Sequence, residues 1–314
     1  MVNSGLRSRP AALGAAVLIL GLIAPASAGP NKPATPHPDA DVVAVLEAQF
    51  AGWAELARTQ QAPATSVYAS GAMLSMTGAS VSPQAGKLTV KDSKWVLFGT
   101  ATLGAHTLRD VRVGRATDGT AAWVSFLANV KVDDLDGKAT LELRASELLV
   151  RTADGWKVAA AAWSRALPAR ALAKAAAAGT LAALEPPLGE GVRDSVGAPD
   201  VIAALDAVLD HGLDPAALTR ASLTAIGPTT GELAKGGAAV GAFVTRTLGA
   251  RRDGPAWAVT NPAGTAGCAT ANVQLPRGAA TVPARVFLVV EKAAGGAWSV
   301  VHLHVAAAPP APRP

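Results

Sequence analysis

The chain has 314 residues, half of them hydrophobic and only 16% charged, with 28 basic against 23 acidic side chains and a single cysteine. That composition excludes a disordered chain, and the length exceeds what one core usually organises, so two domains of ordinary size are expected. The formal charge of +5 is spread thinly, with no basic block or basic stripe interleaved with aromatics, which excludes nucleic-acid binding of the usual kind; the lone Cys268 excludes an internal disulfide and a cysteine-based metal cluster.

In chain order, residues 1–28 read as an export signal: Arg7 and Arg9 precede an apolar run from Ala11 to Ala24, and Ala26-Ser27-Ala28 forms a small-residue cleavage site. The run is shorter than the roughly 20 residues that cross a bilayer as a helix. Cleavage would leave a chain of charge +3 in the periplasm or outside the cell, with no membrane attachment; an uncleaved anchor is the alternative. Residues 29–40 are proline-rich and polar, a tether. From Asp41, "DVVAVLEAQFAGWAELAR" places apolar residues at helical spacing. Beyond Leu108 the texture turns to extended segments, "LRDVRVGRA", "TAAWVSFLANVKV", "ATLELRASELLVR" and "WKVAAAAWS", separated by Thr117-Asp118-Gly119, Asp136-Gly137 and Asp154-Gly155, which predicts antiparallel hairpins.

Residues 169–198 are rich in alanine, proline and glycine and read as a linker. After it the order recurs: "DVIAALDAVLDHG" echoes the first helix, "ASLTAIG" (221–227) parallels "AMLSMTG" (72–78), "GTAGCATANVQL" parallels "GTAAWVSFLANVKV", and "GGAWSVVHLHVA" parallels "DGWKVAAAAWS". Four matches in one order predict a tandem duplication. The fold class expected is α+β, two tandem domains (41–168 and 199–308), each with N-terminal helices packed on a curved antiparallel sheet. Residues 309–314 are read as a disordered tail.

One helix, "VYASGAMLSMTG", the long strand "LELRASELLVR", a glycine turn and the terminal "GWKVAAAAWS" together resemble the SnoaL-like branch of the nuclear transport factor two superfamily, which also contains ketosteroid isomerases. The resemblance covers residues 41–167 and, more weakly, 199–306. It implies a cone whose pocket hosts catalysis in some members and only binding or oligomer contacts in others. Carried over on Val67, Tyr68, Ala69 and Ala72, the isomerase general base falls on Met76 and the oxyanion donor on Phe50, and the second copy has Ala225 at the base position. A thioether, a phenyl ring and a methyl group handle no protons, so the template mechanism is lost.

The remaining candidates carry two readings each. His302 and His304 share one face of the last strand, where the first copy has Ala160 and Ala162; they are pocket-wall or domain-contact residues, or with a nearby carboxylate a metal pair or a base in the second cone. Glu142, Arg144 and Ser146 share one face and Glu147 and Arg151 the other: either a ligand-reading charge pair at Arg144 or a surface salt-bridge ladder, the latter preferred. Tyr68 either donates into the first pocket or packs with its hydroxyl at an edge. Of the seven tryptophans, Trp53, Trp123 and Trp163 are candidate pocket walls beside Phe50, Met73 and Met76. "GELAKGGAAVGAF" (231–243) reads as a loop entering a helix, "DDLDG" (133–137) as a hairpin turn rather than a calcium loop, and Cys268 as a small buried hydrophobe. No phosphate loop, nucleophile elbow or zinc helix occurs, so no cofactor or metal is expected. The leading expectation is a noncatalytic protein that binds a small apolar ligand or a protein partner, with the two domains paired intramolecularly or in a homodimer. The alternative is an isomerase-, cyclase- or hydratase-type enzyme with a non-standard set in domain 2.

Overall fold

Helix α1 (Ala40–Thr59) forms on the predicted spacing: Val42, Leu46, Phe50 and Trp53 fall on one side and are all buried, with Asp41 in the first turn and Arg58 in the last to suit the helix dipole. The structure, a computed structural model, describes residues 39–59, 67–77, 102–134, 137–184, 198–247, 251–277, 280–293 and 295–311. The predicted signal, most of the tether, half of the linker and the end of the tail lie outside the described residues, as do the two central residues of the "DDLDG" turn.

Helix α1 packs on a five-stranded sheet made of β1 (Tyr68–Thr77), β2 (Thr102–Arg115), β3 (Ala121–Asp134), β4 (Gly137–Thr152) and β5 (Gly155–Arg165), in the order β1-β5-β4-β3-β2. The β2–β5 meander is antiparallel, as the turn signals predict; β1 runs parallel to β5, a pairing that no local turn announces. Helices α2 (Ala169–Ala177), α3 (Pro199–His211) and α4 (Pro215–Thr219) follow. The chain then forms β6 (Thr224–Ile226), β7 (Leu233–Lys235), helix α5 (Gly237–Thr247), β8 (Arg251–Thr260), β9 (Ala266–Arg277), β10 (Ala280–Lys292) and β11 (Trp298–Ala307). The second sheet runs β7-β6-β11-β10-β9-β8 and again carries one parallel pair, β6 with β11. Strand for strand it repeats the first sheet and adds β7, a short edge strand within the segment expected to be loop. The fold is α+β, two tandem units of helices on a curved, mostly antiparallel sheet.

Each sheet is covered on both faces. On β4, Leu143, Ala145, Glu147 and Leu149 point toward α1, while Arg144, Ser146 and Leu148 point away from it, and all seven are buried. The first set joins a core with Val42, Leu46, Phe50, Trp53, Phe126 and Trp163. The second set lies in a seam where the two sheets pack face to face, with Met73, Trp123, Leu148, Ala160 and Ala162 of the first against Trp257, Cys268, Phe287, Val289 and Val301 of the second. The seam depends on one close approach. The Trp123 indole lies over Gly114 on the neighbouring strand, where a Cβ would sit 2.2 Å from the ring.

Candidate functional site

The interior of the first cone is apolar with one polar centre. Glu147 of β4 and Gln49 of α1 are 0% and 1% exposed. Gln49 lies one position before Phe50, on the buried side of the helix, and its Nε2 donates to Glu147 Oε1 at 3.0 Å and to the Tyr68 hydroxyl at 3.0 Å. Trp163 Nε1 on β5 donates to the same Glu147 Oε1 at 3.1 Å. Around them Trp163 makes edge-on contacts with Phe50, Trp53 and Phe126, at centroid distances of 5.7, 5.0 and 5.2 Å. His106 of β2 stacks on Phe50 at 4.3 Å and bonds Glu47 at 2.7 Å.

Burial pushes the Glu147 carboxyl up to about 7, although the bonds from Gln49 and Trp163 favour its ionised form. Burial, and then the neighbouring Glu147 charge, raise the Tyr68 hydroxyl well above its ordinary range, so it stays neutral. Among the described residues two acceptors of this set have no hydrogen-bond partner: Glu147 Oε2 and Gln49 Oε1. A buried acceptor left without a donor costs about 1–3 kcal/mol, so these two neighbouring acceptors are the candidate polar anchor of the first cone.

Several expectations are corrected here. Glu147 is not part of a surface ladder, and the first cone does not lack a proton-handling group. The middle of its strand is covered on both faces, so an acidic residue there is buried. Glu142, on the same strand, forms an exposed ion pair with Arg109 at 2.9 Å, and Arg151 lies over the Trp156 ring at 5.7 Å. Arg144 is buried in the seam, 2% exposed, where its Nη1 donates to the Gly227 carbonyl at 2.6 Å. Met73 and Trp123 also face the seam rather than the cone. Of the predicted wall residues, the structure brings together Phe50, Trp53, Tyr68, Met76 and Trp163 around the first core.

His302 and His304 do not face the second cone. Both are 1% exposed and lie between the sheets. Ser146 Oγ contacts His302 Nε2 at 2.6 Å and His304 Nδ1 at 2.9 Å, Ser164 Oγ contacts His304 Nε2 at 2.8 Å, and Thr224 Oγ1 contacts His302 Nδ1 at 2.7 Å. Burial lowers His302 to about 3 and holds His304 well below the ordinary range, so both rings are neutral seam residues whose partners are hydroxyls. The cone-facing positions of the second half are mostly aliphatic: Val201, Leu205, Val208 and Leu209 on α3, Val286, Leu288 and Val290 on β10, Leu303 and Val305 on β11, with Ala225 beside them and Phe243 of α5 the one buried aromatic of the cluster among the described residues. Glu291, Arg220 and Thr117 close one end of the seam, with Arg220 Nη1 and Thr117 N each 2.9 Å from the carboxylate. Among the described residues no group of three or more histidine, cysteine, aspartate or glutamate side chains is placed to hold a metal ion. Nor is any helix among them long and apolar enough to cross a membrane.

Residues 46–168, the first cone, match the model of the SnoaL-like domain family. No curated protein matches the chain. Solved structures with similarity to it include a ketosteroid isomerase-like protein from Erwinia carotovora atroseptica, 18% identical, covering 41% of this chain and 94% of that one with a TM-score of 0.28. The CaMKII hub of S. rosetta is 20% identical over 42% of this chain and 99% of its own, with a TM-score of 0.30. An NTF2-like protein of unknown function in nutrient uptake from Rhodospirillum rubrum is 19% identical over 42% of this chain and all of its own, with a TM-score of 0.28.

Proposed function

We propose that the first cone binds a small ligand with a mainly apolar body and a hydrogen-bond-donating group, and that the second cone is its structural partner. The observation that carries this is the pair of partnerless acceptors, Glu147 Oε2 and Gln49 Oε1, set among Trp53, Trp163, Phe50 and Tyr68. The second cone supports the division of labour, since its core holds Leu288, Val208 and Val305 where the first has Glu147, Gln49 and Trp163. Titration of 2-naphthol into the full chain, followed through the indole N–H resonances, tests it. Saturable movement of the Trp163 signal with a still Trp257 signal in the seam is expected. If neither 2-naphthol nor naphthalene moves Trp163, the reading fails.

The same carboxyl favours a second reading. A group held near 7 is matched to general acid–base work, so an isomerase-, cyclase- or hydratase-type activity would belong to the first cone rather than to the histidines. Turnover of a cyclic enone or ketone abolished by Glu147→Gln, with its binding retained, would establish it. The matching strand order of the two sheets supports a tandem duplication of domains 41–168 and 199–308 across the 169–198 linker. The leader-like residues 1–28 support export to the periplasm or beyond, which N-terminal sequencing of the secreted chain checks.

A further inference from the structure

The donor-reading floor of the first cone also discriminates among ligand chemistries. A carbonyl ligand brings only acceptors, so it leaves Gln49 Oε1 unmet and suits Glu147 Oε2 only in the protonated form, and a hydroxyl has one proton to share between two oxygens. An ammonium group brings three donors. Charge points the same way. Glu147 is fully buried, its bonded partners are the neutral Gln49 and Trp163, and among the described residues no lysine, arginine or histidine forms an ion pair with it. A lone carboxylate in an apolar site is costly, and the group that relieves it most is a cation able to donate to it. Trp53, Trp163, Phe50 and Phe126 supply the aromatic surroundings in which an ammonium ion with an apolar body is attracted rather than merely tolerated.

We propose that the ligand of the first cone is a protonated amine on an aromatic or alicyclic body, held by N–H donation to Glu147 Oε2 and Gln49 Oε1. This rests on the binding reading above and narrows it to one class. At pH 7 the empty site holds its carboxyl about half protonated, and an ammonium guest fixes the ionised form. Binding of the amine therefore releases protons, a signature that packing alone does not produce.

The experiment is calorimetric titration of the full chain with benzylamine, benzyl alcohol and toluene, in buffers of different ionisation enthalpy at pH 7 and in one buffer at pH 5.5 and 8. Benzylamine is expected to bind at least tenfold more tightly than benzyl alcohol at pH 8 and to release about half a proton at pH 7. It is expected to weaken roughly 30-fold at pH 5.5, where few empty sites are ionised, while benzyl alcohol changes less than threefold. In Glu147→Gln the amine's advantage disappears. If the alcohol and toluene bind and move Trp163 but the amine binds no more tightly and releases no protons, the inference is overturned while the binding reading stands. Should no probe bind, both fall. The pH and proton-release arms use the unaltered protein, so they decide the matter even where the variant fails to fold.

Discussion

Acidification tests whether the seam's histidines are buried as neutral rings. His302 ordinarily titrates near 6.5 and is lowered to about 3 between the sheets. The groups that face it are Thr224 from β6, Ser146 from β4, and, by charge, Arg112 from β2, with His304 and Arg144 beside it in the seam. None is a carboxylate, so an imidazolium there would find hydroxyls and like charges only. A depressed histidine stabilises the fold fully above 6.5, and that contribution is lost as pH falls from 6.5 toward 3, because the unfolded chain takes up the proton and the folded chain does not. Between pH 7 and 5 the loss integrates to about 2 kcal/mol for His302 alone. His304, lowered for the same reason, adds in the same direction. The assay is urea denaturation at both pH values for the native protein and for His302→Gln, which does not titrate there and can still bond Ser146. The variant's own fixed cost cancels in the comparison. Its stability is expected to fall by about 2 kcal/mol less than that of the native protein, near 4–8 °C in Tm for a unit of this size. Equal losses in the two proteins would refute the seam's account of these rings.

Glu147 has the opposite sign. Its raised carboxyl adds stability that is present below 4.5 and lost as pH climbs through 7, by about 3 kcal/mol, so Glu147→Gln is expected to flatten that part of the urea-derived profile. Gly114→Ala drives a methyl into the Trp123 indole and is expected to cost about 1–3 kcal/mol by overpacking, read as a lower Tm, and Gly114→Ala combined with Trp123→Leu to recover part of it. Asp214→Ala removes the carboxylate that caps α4 by accepting from Ala217 N at 2.8 Å; about 1 kcal/mol should be lost in thermal melts, and Asp214→Asn should retain most of it.

What the sequence made legible follows from local physics. The 3.6-residue spacing of Val42, Leu46, Phe50 and Trp53 specifies α1, and Thr117-Asp118-Gly119 and Asp154-Gly155 specify the hairpins, with Gly119 and Gly155 at φ of 69° and 96°. The parallel pairings of β1 with β5 and of β6 with β11 join segments far apart in the chain, and no turn residue encodes them. The site was hidden for a different reason. Period-two alternation tells which residues of "LELRASELLVR" share a face, yet not what covers that face. With solvent on one side, Glu147 and Arg151 read as a ladder; with α1 on one side and the second sheet on the other, the same alternation buries Glu147 in one core and Arg144 in the other. A signal was present in "ASELLV", where small or apolar residues occupy both faces, so that the glutamate between them had no exposed side to occupy.

The seam also explains how the halves can differ so much. In a symmetric homodimer, equivalent residues must serve both partners, but here Ser146 of one sheet meets two histidines that stand where the first half has Ala160 and Ala162. On the proposed duplication, joining the copies in one chain holds the second sheet against the first at high effective concentration. The seam no longer has to be self-complementary, and each half is free to specialise. Filling one cone with Val286, Leu288 and Val305 stabilises the scaffold, and the other can then keep an uncompensated carboxylate whose cost a lone domain would feel in full. This division of labour orders the substitutions. Large-to-small changes in the aliphatic cone, such as Leu288→Ala, should lower stability by about 2–5 kcal/mol without altering amine selectivity. Glu147→Gln should raise stability above pH 7 and abolish the selectivity. A protein in which the two effects moved together would not have divided the work between its halves.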